Sequence, residues 1–435
     1  MGRTFVALGL ASLAACAAPG GGAPAPERPN ILVVLVDDLG LEAFGCYGGE
    51  SYSTPHVDRL AASGMRFAQA HTTPLCTPTR VRLLTGRGGA RSYAGFSILD
   101  REERTFAHLL RDAGYATAAA GKWQLLGAEH YGDQAGTGTH PRDAGFERYC
   151  LWQVEQLGSR FAAPTIDVDG ELRVFPDRYG PDVYCDYLLD FVAQERTEPF
   201  LAFFPMALTH APFEPTPASA DAAAPKAQLF ADMVAYMDGL VGRLIDGLEA
   251  LGLRDDTLIV FTTDNGSPGA MRSRAWDRTV KGGKGKTTDA GTHVPLIVSW
   301  PGVVPAGTAC GALVDLTDVL PTLAEAGGAA LPGDRVIDGR SLWPHLTGTA
   351  EGERDALVFY YNPRPGNPKF PERRWARGRR YKLYGDGRFY DVVADPDEKE
   401  RLQAESAPAR HAALASALAA LPAAQRLRFP AADDS

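Results

Sequence analysis

Short runs of apolar residues recur along the chain, separated by longer segments with helical spacing. The clearest runs are residues 31–36 (ILVVLV), 115–120 (YATAAA), 200–204 (FLAFF), 257–262 (TLIVFT) and 294–300 (VPLIVSW). They lack the strict alternation of apolar and polar positions that a strand with one face in water shows. The pattern therefore predicts strands that are buried on both faces of a largely parallel sheet.

Apolar positions at helical spacing fill the segments between these runs. They predict helices at residues 55–62, 77–85, 105–113 and 228–251, with Pro78 in a first turn, where proline is tolerated. Strands that alternate with helices indicate an α/β fold, with a large, mostly parallel central sheet flanked by helices. In such sheets, ligands bind beyond the carboxyl ends of the strands.

The sequence pattern changes near residue 346. Residues 375–384 and 389–393 predict short strands of a small antiparallel sheet, and the Ala/Leu-rich residues 407–420 predict a last helix. We therefore predict a large α/β domain at residues 29–345 and a C-terminal subdomain at residues 346–435.

The first residues predict export. Arg3 provides a basic start, and residues 4–15 form an apolar stretch that is too short to span a bilayer. The stretch ends in Leu13-Ala14-Ala15-Cys16, which matches a bacterial lipobox, where cleavage precedes the cysteine and lipid is added to its sulfur. We expect a signal peptide at residues 1–15, a flexible tether at 16–28 and a periplasmic or cell-surface lipoprotein anchored to the membrane through Cys16. A plain secretory signal is the alternative.

Composition narrows the class of partner. The chain has 435 residues, of which 45% are hydrophobic and 22% charged, as in ordinary soluble globular proteins. Its net charge of −9 argues against nucleic acid as the main partner. Export permits disulfides, and Cys150–Cys185 is the pair that we favour among the six cysteines. No Cys/His spacing is typical of a zinc site.

Hard oxygen donors follow two of the predicted strands. Asp37 and Asp38 end the first run, and Asp264 and Asn265 follow the run at residues 257–262. Carboxylate and amide oxygens suit Ca²⁺ or Mg²⁺ rather than zinc or copper. Asp and Asn also cap loops and helices, but two such pairs at strand ends favour a metal site.

The pentapeptide Cys76-Thr77-Pro78-Thr79-Arg80 fits the pattern Cys-x-Pro-x-Arg and stands in an ordered series of short blocks. The other blocks are Pro29-Asn30-Ile31, Asp37-Asp38, Thr54-Pro55-His56-Val57-Asp58-Arg59-Leu60, Gly121-Lys122-Trp123, Thr209-His210-Ala211-Pro212, Thr263-Asp264-Asn265-Gly266, Gly282-Gly283-Lys284-Gly285, Gly291-Thr292-His293-Val294-Pro295, Tyr390-Asp391-Val392 and Asp395-Pro396-Asp397-Glu398. On these blocks the chain resembles, from about residue 29 to 397, the type I sulfatases of the alkaline phosphatase superfamily. The resemblance implies that the α/β domain is catalytic.

The resemblance also implies a role for each matched residue. Cys76 would be oxidised to formylglycine by a formylglycine-generating or anaerobic sulfatase-maturating enzyme, and its hydrate would be the nucleophile. The ligands of one Ca²⁺ would be Asp37, Asp38, the modified Cys76, Asp264 and Asn265. The other catalytic residues would be Arg80, which steadies the hydrate, Lys122 and Lys284, which grip the sulfate oxygens, and His210, which protonates the leaving alcohol.

The chain departs from the family at Gln124. Many members have a histidine there, after the Gly-Lys-Trp block, and that histidine contacts the hydrate and helps to remove the proton that triggers sulfate release. Glutamine can form hydrogen bonds but is not a base near neutral pH. Our hypothesis is that Gln124 keeps the positioning role and lacks the role of base.

Substrate choice depends on variable loops at the mouth of the site, which we expect at residues 129–141, 158–179 and 360–374. The last loop and its flank interleave cations with aromatic residues: Tyr360, Tyr361, Arg364, Lys369, Arg373, Arg374 and Trp375. That mixture suits sulfated sugars, although a solvated basic loop fits equally well. The predicted activity is hydrolysis of sulfate monoesters on aryl or carbohydrate groups. The alternatives are a phosphonate or phosphodiester hydrolase with the same machinery, and an inactive protein that binds sulfated glycans.

Overall fold

The computed structural model describes residues 28–350, 352 and 354–424. The predicted signal peptide, the anchor at Cys16 and all of the tether except Arg28 lie outside the described residues. None of the helices in the described part of the chain combines the length and apolarity that a bilayer span requires.

The strands are β1 (Asn30–Val36), β2 (Met65–His71), β3 (Ala116–Lys122), β4 (Arg148–Trp152), β5 (Thr165–Val168), β6 (Glu171–Val174), β7 (Phe200–Pro205), β8 (Thr257–Thr263), β9 (Arg272–Ala275), β10 (Arg278–Lys281), β11 (Leu296–Ser299), β12 (Thr308–Asp315), β13 (Leu357–Tyr361), β14 (Arg373–Arg377), β15 (Tyr381–Tyr384) and β16 (Phe389–Asp391). The five predicted apolar runs correspond to β1, β3, β7, β8 and β11, and the structure contains further strands that were not predicted.

The helices connect these strands. They are α1 (Pro55–Ala62), α2 (Cys76–Thr85), α3 (Gly89–Ser92), α4 (Phe106–Asp112), α5 (Gly180–Val192), α6 (Lys226–Ala250), α7 (Asp289–Thr292), α8 (Val319–Ala326), α9 (Trp343–Leu346) and α10 (Pro408–Ala419). Short 3₁₀ helices occupy Leu41–Ala43, Gly45–Tyr47, Glu129–Gln134, Leu316–Asp318 and Ala404–Ser406.

Ten strands form the central sheet, in the order β12-β2-β11-β8-β1-β7-β3-β4-β5-β6. Its centre is parallel: β1 pairs with β7 and β8, so that Ile31 lies opposite both Leu201 and Leu258. The α/β class with a mostly parallel sheet is confirmed. The run at residues 294–300 is a buried strand as predicted, but β11 is antiparallel to both of its neighbours.

The two faces of β1 belong to two different apolar layers. Ile31, Val33 and Leu35 pack in the layer that also contains apolar residues of α2, α4 and α8. The alternate residues of the strand pack in the other layer, against α1, α5 and α6. Full burial of one such side chain contributes about 1.5–3 kcal/mol, which explains why β1 needs apolar residues at every position.

The small C-terminal sheet is also present. Its strands run in the order β13-β14-β15-β16, and each pair is antiparallel. Trp375 is buried there and stacks on Phe359 with 4.9 Å between ring centroids. Leu414 of α10 packs on the opposite face of this sheet. This sheet meets the large domain near α2, because Leu75 packs against the cluster that contains Trp375.

The favoured disulfide Cys150–Cys185 is wrong. Cys150 lies on β4 and Cys185 on α5, and both are buried free thiols. The Sγ atom of Cys185 faces the carbonyl oxygen of Leu240 at 4.0 Å. Burial raises the pKa of the Cys185 thiol to about 12. The two cysteines serve as small apolar residues of the layer beneath α5.

Candidate active site

The carboxyl ends of β1 and β8 bring the predicted metal ligands together. Val36 lies opposite Thr263 in the parallel pair, so Asp37 and Asp38 emerge beside Asp264 and Asn265. The backbone N–H of Asp38 donates to Asp264 Oδ1 at 3.1 Å. All four side chains are buried, with no more than 1% of their surface exposed. The parallel pairing of β1 and β8 thus brings both predicted pairs of metal ligands to one edge of the sheet.

Cys76 is the first residue of α2, and its thiol is buried. The preceding residue, Leu75, has extended backbone, so the chain turns into the helix at residue 76. The N-terminus of a helix carries positive partial charge and free N–H groups, which favour an anion beside it. Burial raises the pKa of the Cys76 thiol, whereas a cysteine that reacts as a thiolate needs a lowered pKa. Unmodified Cys76 is therefore poorly suited to be a nucleophile.

Arg80 lies one turn along α2 and donates hydrogen bonds to one of the predicted metal ligands. Its Nε and Nη2 atoms donate to Asp264 Oδ2 at 3.1 and 3.0 Å, and Nη1 donates to the carbonyl oxygen of Lys122 at 3.1 Å. Asp37 Oδ2 is 3.4 Å from Nη2. The resemblance implied that Arg80 steadies the nucleophile, and in the structure it orients two carboxylates around that position.

Two lysines and a histidine flank the carboxylates. Lys122 ends β3, is buried, and places Nζ 2.6 Å from Asp37 Oδ2. Lys284 forms an ion pair with Asp38 and is partly exposed. His210 places Nε2 3.6 Å from the same Asp38 carboxylate. The predicted cations therefore converge on one point from three different segments of the chain.

Gln124 contacts the side chain of residue 76. The Cys76 thiol donates to Gln124 Oε1 at 3.4 Å. Gln124 has a φ of 57° and Ser97 a φ of 69°, in the left-handed region that residues with a side chain rarely adopt. The Ser97 hydroxyl donates to the Gln124 carbonyl oxygen at 3.4 Å. Strained backbone of this kind persists where the surroundings hold it, and here it aims the Gln124 amide at residue 76.

The carboxylates of Asp37 and Asp264 differ in their affinity for protons. Burial alone would raise the pKa of Asp37, but the positive charges of Lys122 and Arg80 hold it well below its usual range. Burial and the neighbouring Asp37 charge raise the pKa of Asp264 to about 7. Three acids so close together destabilise one another, and a divalent cation would relieve that repulsion.

Unpartnered oxygens show that the site fits a cation. Asp37 Oδ1 and Asn265 Oδ1 are buried and have no hydrogen-bond partner within the described part of the chain. A buried oxygen without a partner is costly, so both atoms fit the role of metal ligands. Among the described residues, one group of His, Cys, Asp and Glu is close enough to hold a metal: Asp37, Asp38 and His210. The sequence analysis assigned His210 to proton transfer, and its proximity to the acid pair is a further finding.

Arg160 is the site residue that the sequence analysis missed. Its Nη1 lies 3.2 Å from His210 Nδ1, its Nη2 donates to the Ala211 carbonyl oxygen at 2.8 Å, and its guanidinium stacks 4.3 Å from the centroid of Trp152. Burial lowers the pKa of Arg160. The residue belongs to the loop at 158–179, which we expected at the mouth, but no local pattern marks it.

A protein-family model described as Sulfatase matches residues 29–329, which is more than half of the chain. The chain belongs to the sulfatase family. Membership of this family makes the protein a sulfuric ester hydrolase. A second model, described as N-sulphoglucosamine sulphohydrolase, C-terminal, matches residues 284–421 of this sulfatase.

Curated relatives are similar along most of their length. Steryl-sulfatase of Mus musculus is 32% identical over 440 residues, covering 81% of this sulfatase and 70% of the relative. Arylsulfatase A of Homo sapiens is 32% identical over 390 residues, covering 79% of this sulfatase and 71% of the relative.

Solved structures share the fold of this sulfatase. Ps i-CgsB in complex with k-i-k-neocarrahexaose has a TM-score of 0.78 and 23% identity, covering 93% of this chain and 95% of that one. BT4656 in complex with its substrate D-glucosamine-2-N,6-O-disulfate has a TM-score of 0.73 and 22% identity, covering 90% of this chain and 97% of that one. A phosphonate monoester hydrolase of Agrobacterium radiobacter has a TM-score of 0.67 and 21% identity, covering 90% and 95%. The fold alone therefore does not separate sulfate esters from phosphonate esters.

Proposed function

We propose that this sulfatase hydrolyses sulfate monoesters of aryl or carbohydrate alcohols, with formylglycine at position 76 and one bound Ca²⁺. The observation that carries the proposal is the position of Cys76. Cys76 is the first residue of α2, beside the predicted metal ligands, and its thiol contacts Gln124. Burial nevertheless raises the pKa of that thiol. A hydrated formylglycine there would supply a hydroxyl nucleophile, and the cation would stabilise negative charge.

The residues around position 76 would bind and orient the sulfate. The N-terminus of α2 offers positive partial charge, and Lys122 and Lys284 offer full charges. Both lysines pair with acids in the structure, at Asp37 and Asp38. If those acids hold Ca²⁺, the lysines can turn toward the sulfate oxygens. Fixed cations of this kind stabilise the transition state because they need little reorganisation as charge develops.

His210 would protonate the leaving alcohol. Arg160 has only donors, so its contact with Nδ1 favours the tautomer of His210 that carries the proton on Nε2. The Ala211 carbonyl oxygen, 2.6 Å from Nδ1, would favour the other tautomer, but it also accepts a hydrogen bond from Arg160. Burial lowers the pKa of His210 to about 4, so the ring is neutral near pH 7 until a substrate anion beside it favours the protonated form that can act as the acid. Arg160 is thus a positioning residue.

Mass spectrometry and kinetics together test the proposal. Protein from the native host should show a loss of about 18 Da on the peptide that contains residue 76. It should hydrolyse an aryl sulfate, and the Cys76→Ala protein should not. Protein that keeps an unmodified thiol in its own host would contradict the formylglycine mechanism. The phosphonate or phosphodiester alternative predicts a higher kcat/KM for an aryl phosphodiester than for the matched aryl sulfate.

We also propose that the protein is an exported lipoprotein attached to the membrane through Cys16. The support is the Leu13-Ala14-Ala15-Cys16 pattern after a short apolar stretch. Wild-type protein should sediment with membranes, and the Cys16→Ser protein should appear in the soluble exported fraction. Equal sedimentation of the two proteins would contradict the anchor.

A further inference from the structure

The segment at residues 360–374, which we predicted at the mouth of the site, carries an arginine held between aromatic rings. The Arg364 guanidinium carbon lies 4.8 Å from the ring centroid of Phe96 and 5.1 Å from that of Phe370. Tyr131 continues the surface, with its ring centroid 6.4 Å from that of Phe96. Phe96, Tyr131 and Phe370 are all partly exposed, and Arg364 is exposed. We call these four residues the aromatic rim.

Two sets of hydrogen bonds attach the aromatic rim to the elements that hold residue 76. Phe96 precedes Ser97, whose N–H donates to Thr77 Oγ1 at 3.2 Å and whose hydroxyl donates to the Gln124 carbonyl oxygen. Thr77 follows Cys76 directly. On the other side, the buried Tyr93 donates its hydroxyl to the Pro363 carbonyl oxygen at 2.8 Å, which fixes the residue before Arg364.

The chain between these anchors also packs beside the nucleophile position. Tyr361 is buried in the C-terminal cluster against which Leu75 packs, and Leu75 precedes Cys76. Hydrogen bonds through Ser97 and Thr77 therefore join the aromatic rim to the start of α2, which carries residue 76.

Arg364 differs from the other cations of its loop. Arg374 is neutralised by Glu372, at 2.8 Å, and stacks on Tyr360. Within the described residues, Arg364 has neither a carboxylate nor a hydrogen-bond partner, and two rings restrict its motion. Lys369 is also exposed and unpaired in that part of the chain, but no ring holds it. A guanidinium stacked between rings keeps its in-plane donors free, and it loses little entropy when it binds a planar or tetrahedral anion.

We propose that Arg364 binds a second anionic group of the substrate while the scissile sulfate lies next to residue 76. That second group is a carboxylate or a further sulfate on a sulfated saccharide. The inference rests on the proposed function and narrows its substrate class. Bidentate, charge-assisted hydrogen bonds would hold the second anion, and Phe96 and Tyr131 would contact sugar faces. A saccharide with two anionic groups is therefore preferred over an aryl sulfate that carries one.

Binding measurements test the subsite separately from catalysis. Cys76→Ala protein cannot turn substrate over, so isothermal titration calorimetry on it reports affinity alone. The probes are two matched saccharides, D-glucosamine-2-N,6-O-disulfate and N-acetylglucosamine-6-sulfate, which differ in the second anion. We expect the disulfate to bind at least about tenfold more tightly, and Arg364→Gln to reduce that ratio to about one. Arg364→Lys should keep part of the affinity ratio, because lysine retains the positive charge but lacks the planar guanidinium group.

Lys369→Gln is the matched control, because it removes an exposed charge from the same loop without touching the aromatic rim. It should leave the affinity ratio unchanged. Equal affinities of the two saccharides for the parent protein, or equal losses in the Arg364 and Lys369 variants, would overturn the inference.

Kinetics on otherwise wild-type, modified protein separate the two possible failures. Arg364→Gln should lower kcat/KM for the disulfate at least about fivefold more than kcat/KM for 4-nitrophenyl sulfate, because only the disulfate offers a second anion. If the modified enzyme hydrolyses the aryl sulfate but the calorimetric ratio is near one, the subsite fails and the proposed function stands. If modified enzyme hydrolyses no sulfate ester, the proposed function fails, whatever the calorimetry shows.

Discussion

Calcium should stabilise this protein, and Asp37→Asn should remove most of that effect. Asp37 and Asn265 each supply a buried oxygen that lacks a hydrogen-bond partner among the described residues. Asn at position 37 has nearly the same shape as Asp but removes a negative charge from the ligand set. The change therefore tests the metal site with little change in packing.

The expected rise in Tm can be derived from the number and charge of the predicted calcium ligands. A site with three carboxylates and an amide falls in the range of dissociation constants near 10 μM, about the weak end of intracellular calcium sensors. About 1 mM free Ca²⁺ would then stabilise the folded state by about 2.7 kcal/mol. With about 2.1 cal/mol/K of unfolding entropy per residue over 435 residues, Tm should rise by about 3 °C. Loss of the Asp37 charge should weaken binding on the order of a hundredfold and leave a rise below about 1 °C.

The assay is thermal unfolding of EDTA-treated protein with and without Ca²⁺, followed by circular dichroism. Asp238→Asn is the matched control, because Asp238 is a buried acid on α6 that accepts hydrogen bonds from the backbone N–H groups of His56 and Val57. That variant can lower Tm but should keep the calcium-induced rise. No rise in the wild-type protein, or the same rise in the Asp37→Asn protein, would refute the assignment of the site.

Three further changes have defined outcomes. Arg160→Gln should lower kcat about tenfold for esters of poorly acidic alcohols but less than about twofold for 4-nitrophenyl sulfate. The reason is that proton donation from His210 matters most for poor leaving groups. An equal drop in kcat across a series of leaving groups would contradict this role of Arg160. Gln124→His should speed pre-steady-state sulfate release at least about tenfold, since it restores a base, and an unchanged release rate would count against our hypothesis. Burial lowers the pKa of His108 to about 4, below the value near 6.5 of the unfolded chain, so the unfolded state binds the proton first and stability falls as the pH falls from about 7 to 5. His108→Gln should reduce that loss by about 1–2 kcal/mol in urea unfolding, and an unchanged pH dependence would exclude His108 as its source.

The central sheet could be predicted because buried parallel strands leave a simple pattern. β1 needs apolar residues on both faces, so its limits and the acids that follow it are visible in the sequence. The direction of β11 was not visible, because a short apolar run is the same in a parallel or an antiparallel strand. The predicted bounds of α6 differ from the observed ones by one or two residues, as is usual at helix ends.

The residues of the candidate site could be predicted from the sequence, but the contacts between them could not. The ordered blocks identified Lys122 and His210, but not that Lys122 pairs with Asp37 or that His210 lies near Asp38. Arg160 lies 50 residues from His210 in the chain, and their contact depends on how a variable loop folds back. Such a contact leaves no spacing or periodicity in the sequence, so only the structure reveals it.

The burial of α2 limits when residue 76 can be modified. Every residue of that helix is buried, and Cys76 exposes only 2% of its surface. If residue 76 is oxidised as proposed, the oxidising enzyme would have to reach the thiol before α2 is buried. Modification would then compete with folding, and a chain that folds first would retain its thiol. Variants that fold faster, or host cells with less maturating enzyme, should yield protein of normal stability in which a larger fraction is permanently inactive.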